Sequence, residues 1–180
     1  VKIHCATSNP GKLREFQRAA PDFEVVPLTL AAPEETGRTF DENVLLKARY
    51  YGAHVDGYLF VDDSGIEVDA LNGRPGVDSA HFDNAWLLDQ LRGVENRTAR
   101  FVCVIALVFN GELVKTFRGL VEGRVIHEPR GANGFGYDPI FYYEPFGCTF
   151  GEADTEAKMR VSHRAQALEK MFTFLRSAST

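Results

Sequence analysis

Residues 101–109 read FVCVIALVF, an unbroken apolar run followed by Asn110-Gly111 and then by ELVKTFRGLVEG. The run is far shorter than the about 20 apolar residues a membrane-crossing helix requires, and its β-branched and aromatic side chains favour a strand. An Asn-Gly pair suits a tight primed turn, so the segment predicts a long antiparallel hairpin whose first arm is buried. The remaining elements have to pack around it.

Those elements are shorter. The pattern predicts a strand over 2–6, a helix beginning near Lys12, a strand around 24–27, a helix from Phe40 to about Tyr51, and an apolar strand, YLFV, ending in DDSG. NGRPG at 72–76 is turn chemistry, and Asn84 is a candidate cap for a short helix, AWLLDQL, that stops at Gly93. A glycine-rich loop, PRGANGFGYDP, leads into IFYY, and two helical segments close the chain. Strands interspersed with helices, one long pair of them antiparallel, indicate an α/β class with a mixed sheet. No repeat, low-complexity tract or linker-like shift divides the 180 residues, so a single domain over 1–180 is expected.

With 20 Lys+Arg against 25 Asp+Glu and a net charge of −5, the chain lacks the basic excess of a duplex-binding protein, which argues against a nucleic-acid partner. A small polyanion held by a local cation cluster and a divalent metal stays open. Cys5, Cys103 and Cys148 are an odd set without C-x-x-C spacing, in or near apolar stretches, and predict reduced core thiols. VKIHCATSNPGK enters a strand-and-loop pattern without a secretory core or cleavage site, so a cytoplasmic protein without membrane association is expected.

Four clusters bear on chemistry. TSNPGK (7–12) joins a strand to a helix, where free backbone N–H groups and Lys12 would meet an oxyanion; it lacks P-loop spacing, and an ordinary Asn-Pro turn is the alternative. Thr39 and Glu42 match the T-x-x-E capping box, or, if that helix end faces a site, Glu42 is placed to ligate Mg²⁺. In FVDDSG (60–65), Asp62 and Asp63 project to opposite faces of a strand end, so at most one points into a given cleft. The choice there is between an acidic turn and a carboxylate that holds a metal and an attacking water.

The fourth cluster joins GFGYDP (134–139) to Lys158 and the helix start SHR. Glycines flanking Phe135 and Tyr137 let backbone approach a planar ligand on which either ring can stack, unless the aromatics simply fill the core. Ser162 is a good N-cap, with Ala165, Leu168, Met171, Phe172 and Leu175 at helical spacing behind it. His163 and Arg164 therefore sit at the positive pole of the helix dipole, which disfavours a fixed cation by about 0.3–1 kcal/mol. A role as hydrogen-bond donors would explain that cost; a solvated helix tip or an ion pair to Asp138 would not require one.

TSNPGK, TFDENVLLKA, DDSG, LNGRPGV, GFGYDPIF and TEAKMRVSHRAQAL, in this order from Ala6 to Leu168, resemble the inosine/xanthosine triphosphate pyrophosphatase family. The resemblance implies an elongated mixed β-sheet with flanking helices, two lobes around a central cleft, and usually a homodimer. It implies Mg²⁺-dependent hydrolysis of ITP, dITP or XTP to the monophosphate and pyrophosphate, with the nucleoside triphosphate as the small-molecule partner. By motif, Thr7, Ser8, Asn9, Pro10, Gly11 and Lys12 would hold the triphosphate, and Glu42 and Asp63 the metal, Asp63 also activating water. Ser64 follows in the binding segment; Phe135, Gly136, Tyr137, Asp138, Lys158, His163 and Arg164 would frame the nucleoside. Asp78 stands where many relatives carry an aromatic residue, His81 where arginine is common, and Ala165 where glycine is usual, the last change favouring helix. A pyrophosphatase for modified pyrimidine triphosphates and a non-hydrolytic nucleotide sensor are the competing functions. Glu42, Asp62 and Asp63 argue against a sensor, since a binder of polyanions gains little from negative charge.

Overall fold

In the computed structural model, which describes residues 1–178, the hairpin forms as its pattern predicts. β4 (Thr98–Phe109) and β5 (Glu112–Val125) pair antiparallel from Thr98↔Arg124 to Phe109↔Glu112. Asn110 and Gly111 turn the chain with φ of 49° and 82°, the left-handed conformation that Asn and Gly tolerate best. Around it lie β1 (Lys2–Cys5), β2 (Glu24–Pro27), β3 (Tyr58–Val68), β6 (Phe141–Tyr143) and β7 (Cys148–Thr149). The sheet order is β2-β1-β3-β4-β5-β6-β7, with β2, β1 and β3 parallel and the later neighbours antiparallel.

Among the described residues five α-helices accompany the sheet: α1 (Pro10–Ala19), α2 (Phe40–Gly52), α3 (Asn84–Gln90), α4 (Thr155–Lys158) and α5 (His163–Ala178). On one face Phe60, Cys103, Ile105 and Leu107 pack with Phe16 of α1 and Leu168, Met171 and Phe172 of α5. On the other, Leu59, Val61, Val104 and Ala106 pack with Val44 and Ala48 of α2. A third core gathers Ile66, Leu87, Phe101, Phe141 and Phe150 beyond these. Each fully buried large apolar side chain contributes roughly 1.5–3 kcal/mol, so the three clusters dominate the stability.

Three local expectations change. β3 does not end at DDSG: Asp62, Asp63, Ser64 and Gly65 are paired within it, opposite Ile105, Val104, Cys103 and Val102. β4 offers a partner along the whole length, and the ladder overrides the poor strand propensity of Asp, Ser and Gly. α3 is capped by Asp83, whose carboxylate accepts from Trp86 N–H at 2.9 Å, so Asn84 is already helical. On α5, Ala167 rather than Ala165 shares the buried face with Leu168, Met171, Phe172 and Leu175. The Ser162 cap holds, its hydroxyl accepting from Ala165 N–H at 3.1 Å.

Two strands leave part of an edge without a neighbouring strand. β1 pairs with β3 only through Tyr58–Phe60, so from Val61 onward one edge of β3 has no strand beside it. The backbone groups facing that edge belong to even-numbered residues. Phe60 C=O accepts from Ala6 N–H, Asp62 C=O from Lys47 Nζ at 2.9 Å, and Ile66 N–H donates to Ser79 Oγ at 2.9 Å. Val68 N–H bonds Arg74 C=O. β5 meets β6 only at Arg124 and Val125. There the Gln166 side chain donates to Leu120 C=O at 2.7 Å and accepts from Leu120 N–H at 3.4 Å, and Lys170 Nζ donates to Arg118 C=O at 2.6 Å. Gly119 leaves room for the first turn of α5, because a Cβ there would run into His163 C=O. No helix among the described residues is long and apolar enough to cross a membrane.

Candidate active site

The open edge of β3 borders a cleft of about 500 Å³. Thr7, Ser8, Asn9, Lys12, Asp63, Ser64, Phe135, Gly136, Tyr137, Asp138, Lys158, His163 and Arg164 all line it, so segments far apart in sequence converge as the motifs imply. Both aspartates line it too, against the expectation of at most one. The cleft follows the edge of the strand rather than one face, and an edge is reached from both sides.

Three expected residues lie elsewhere. Glu42 is exposed on the first turn of α2 and outside the cleft lining; its carboxylate accepts from Arg38 N–H at 2.7 Å, while Thr39 Oγ1 accepts from Glu42 N–H at 3.0 Å. Both contacts are those of a capping box at the start of α2. Pro10 and Gly11 form the first turn of α1 outside the lining. Gly11 has a packing role, since a Cβ there would come within 2.6 Å of the Phe135 ring. Asn9 caps α1 by accepting from Gly11 N–H at 2.9 Å and Lys12 N–H at 3.2 Å, so these amides are already occupied.

The two faces of β3 give its aspartates opposite surroundings. Asp62 points to the α1/α5 side, where Lys12 Nζ donates to it at 3.1 Å and Arg164 Nε lies 4.0 Å away. Burial alone would raise its pKa, but Lys12, Arg164 and Lys47 outweigh burial and hold it below the usual carboxylate range. Asp63 points to the α2 side and receives only Lys47, at 3.3 Å on Oδ1; Oδ2 is buried without a partner. Burial, with Glu35 and Asp62 adding to it against Lys47, pushes Asp63 up to about 6. Lys47 also pairs with Glu35. Burial opposes its charge, but Asp62, Asp63 and Glu35 prevail and keep it protonated.

At the other end the charges are buried in pairs. Lys158 Nζ donates to Asp138 Oδ2 at 2.6 Å and lies 3.3 Å from Glu15; Arg164 donates to Glu15 at 2.5 Å and to Ser64 Oγ at 2.9 Å. The ion pair to Asp138 is therefore made by Lys158, and Glu15 compensates the cation at the α5 N-terminus. Both cations lie over the Phe135 ring, 5.0 and 5.4 Å from its centroid. The His163 ring stacks on Phe101 at 4.8 Å and 14°. Burial first, then Arg164, Lys158 and Lys12, drives its pKa well down, so it is neutral near pH 7. His163 Nδ1 and Arg164 Nε are buried without hydrogen-bond partners.

Sequence reasoning does not single out Glu15, Glu35 or Phe82, and it gives Lys47 no role. Glu15 does leave a signal, an acid four residues after Gly11 and next to Phe16 on α1, all three buried. Glu35 leaves none in its loop. Among the described residues no three His, Cys, Asp or Glu side chains form a self-sufficient metal cage. The bare Asp63 Oδ2 beside the Lys47-linked Glu35 nevertheless suits Mg²⁺, which takes one or two carboxylates and fills its shell with phosphate oxygens and water.

Comparisons with known proteins identify the family. A dITP/XTP pyrophosphatase of Exiguobacterium sp. is 45% identical over 186 residues, covering 95% of each chain. One from Bacillus subtilis is 42% identical over 187 residues, covering 94% of each. Among solved structures, a HAM1 protein from Coxiella burnetii matches with a TM-score of 0.88 at 38% identity, over 98% of this chain and 99% of that one. The Staphylococcus aureus Ham1 protein gives 0.86 at 36%, over 99% and 100%. The sequence profile of the Ham1 family matches residues 3–174, and the chain belongs to that family.

Proposed function

We propose that this chain hydrolyses non-canonical purine nucleoside triphosphates, namely ITP, dITP and XTP, to the monophosphate and pyrophosphate, with Mg²⁺ as cofactor. Support comes from relatives named dITP/XTP pyrophosphatase. The observation that carries it is the pairing within one cleft of an unpartnered carboxylate oxygen on Asp63 with two nitrogens, His163 Nδ1 and Arg164 Nε, that have no hydrogen-bond partner.

Asp63 and Glu35, rather than Glu42, would hold the metal; when bound, Mg²⁺ polarises phosphate oxygens and acidifies water. Asp63 Oδ2 orients the water that attacks the α-phosphorus. Lys12 and Lys47 offset charge on the triphosphate, with Thr7, Ser8 and Asn9 along its path. At the base end, Arg164 and a neutral His163 donate to the O6 acceptor of hypoxanthine or xanthine, where adenine presents an N6 donor. Leaving those donors unpaired against adenine supplies discrimination on the order of 10⁴. Guanine shares O6 and has to be separated at its 2-amino group. Phe135 offers its ring to the base, and Asp138 and Lys158 fix the loop that carries it.

The proposal takes 1–180 as one domain and includes a homodimer and a cytoplasmic location, the latter in keeping with the free thiols of Cys5, Cys103 and Cys148. Incubation with ITP, XTP, dITP and the common triphosphates plus Mg²⁺, separating pyrophosphate from orthophosphate, is the test. Preferential pyrophosphate release from the first three is expected. Equal turnover of ATP and ITP by the wild type would break the base assignment.

A further inference from the structure

Ser79 belongs to none of the four chemical clusters, yet it joins three parts of the cleft. Its hydroxyl accepts from Ile66 N–H at 2.9 Å and donates to Gly76 C=O at 2.6 Å, filling the open edge of β3 two residues beyond Ser64. Its carbonyl accepts from Tyr137 Oη at 2.6 Å, and the same phenol reaches Phe82 C=O at 2.9 Å. Gly65 is the counterpart: a Cβ there would collide with Ser79 Oγ and Gly76 C=O, so the strand and the 76–82 segment are in direct contact. Ser79 and Tyr137 are both buried. Asn84 Nδ2, at the start of α3 just beyond this segment, adds a bond to Gly136 C=O in the same loop at 3.2 Å.

We propose that Ser79 is a positioning residue that couples the purine-facing loop 134–138 to the strand carrying Asp63, through Tyr137 on one side and Ile66 on the other. The proposal rests on the pyrophosphatase reading for its kinetic consequence but not for its physical content. A purine that seats against the loop sets the Tyr137 ring. Tyr137 Oη sets the Ser79 carbonyl, and Ser79 Oγ holds Ile66, three residues from Asp63. A correct base is then expressed in turnover as well as in affinity, because binding energy at the loop is used to hold the reacting end in register. Interiors packed this closely transmit such displacements, and coupling between sites usually amounts to about 5–150-fold.

Two variants and two readouts test it. Tyr137→Phe keeps the ring and removes the bonds to Ser79 and Phe82; Ser79→Ala removes those to Ile66 and Gly76. Backbone hydrogen exchange, read on the ligand-free protein, should show Ile66 N–H exchanging roughly 3- to 30-fold faster in Tyr137→Phe, although the two residues share no hydrogen bond. Unchanged Ile66 exchange in that variant overturns the coupling regardless of any activity. In kinetics, both variants should lower kcat for ITP by about 10-fold while KM moves less, so that the ITP/GTP ratio of kcat falls. Equal loss for ITP and GTP denotes a merely structural bond and also overturns it. A wild type that releases no pyrophosphate from any triphosphate breaks the functional reading instead, and the exchange result alone then decides the coupling.

Discussion

Asp62 and Asp63 are neighbours on one strand, yet the two sides of β3 treat them differently. On the α1/α5 side, Asp62 is enclosed by Lys12 and Arg164, with Lys47 adding to their field, and is held ionised. On the α2 side, Asp63 meets one lysine that it shares with Glu35, keeps an oxygen without a partner, and is pushed up to about 6. The first is a structural anion that keeps cations in place. The second is an underserved carboxylate, the state expected of a group that has still to meet a cation, a proton or a water. Alternation along a strand suffices to give consecutive, chemically identical residues these separate tasks.

The sharpest way to break the comparison is Asp63→Asn, which should lower turnover by about 10²–10⁴ while leaving circular dichroism intact, as loss of a general base does. A variant with near-normal pyrophosphate release would remove Asp63 from the chemistry. Next comes Glu15→Ala, which leaves Arg164 and Lys158 buried with one carboxylate fewer and should cost about 3–5 kcal/mol in urea melts. Little change there would mean the base end is better solvated than its burial indicates.

Stability against pH in metal-free buffer sharpens the contrast through its sign. The raised Asp63 binds its proton more tightly in the folded chain, so its favourable contribution is complete below about pH 4 and is lost as pH rises through about 6. Asp63→Asn should therefore match the wild type near pH 4 and exceed it by about 2–3 kcal/mol at pH 7. Asp62, held low, contributes above its unfolded value and loses that contribution on acidification, so Asp62→Asn should be the less stable protein at pH 7. Shifts of the same sign in both variants would erase the distinction between the faces. The smallest effect belongs to Asp22→Asn, which breaks an exposed pair with Arg176 remote from the cleft and should leave kcat and KM unchanged.

Much of this is legible in the sequence because the decisive signals are local. The apolar run and Asn-Gly specify the hairpin, and Ser162 marks the start of α5. DDSG reads wrongly as a strand end because Asp, Ser and Gly avoid strands when judged alone, and only the neighbouring β4 makes the strand continuous. Glu42 is expected in the cleft but lies outside its lining, because a capping glutamate and a metal-binding one look the same without knowing which way the helix end faces. Glu35 and Ser79 are set by long-range docking, Ser79 by contact with Ile66 and Tyr137, which no spacing rule encodes.

The amide of Gln166 and the ammonium of Lys170, bonded to Leu120 and Arg118, stand where another strand would otherwise add to β5. α5 is thus also a guard against self-assembly, because bare strand margins template fibrils and swapped dimers. A chain cut short before that helix would forfeit Arg164 and unmask the margin together, so truncation should yield insoluble material rather than a feeble catalyst.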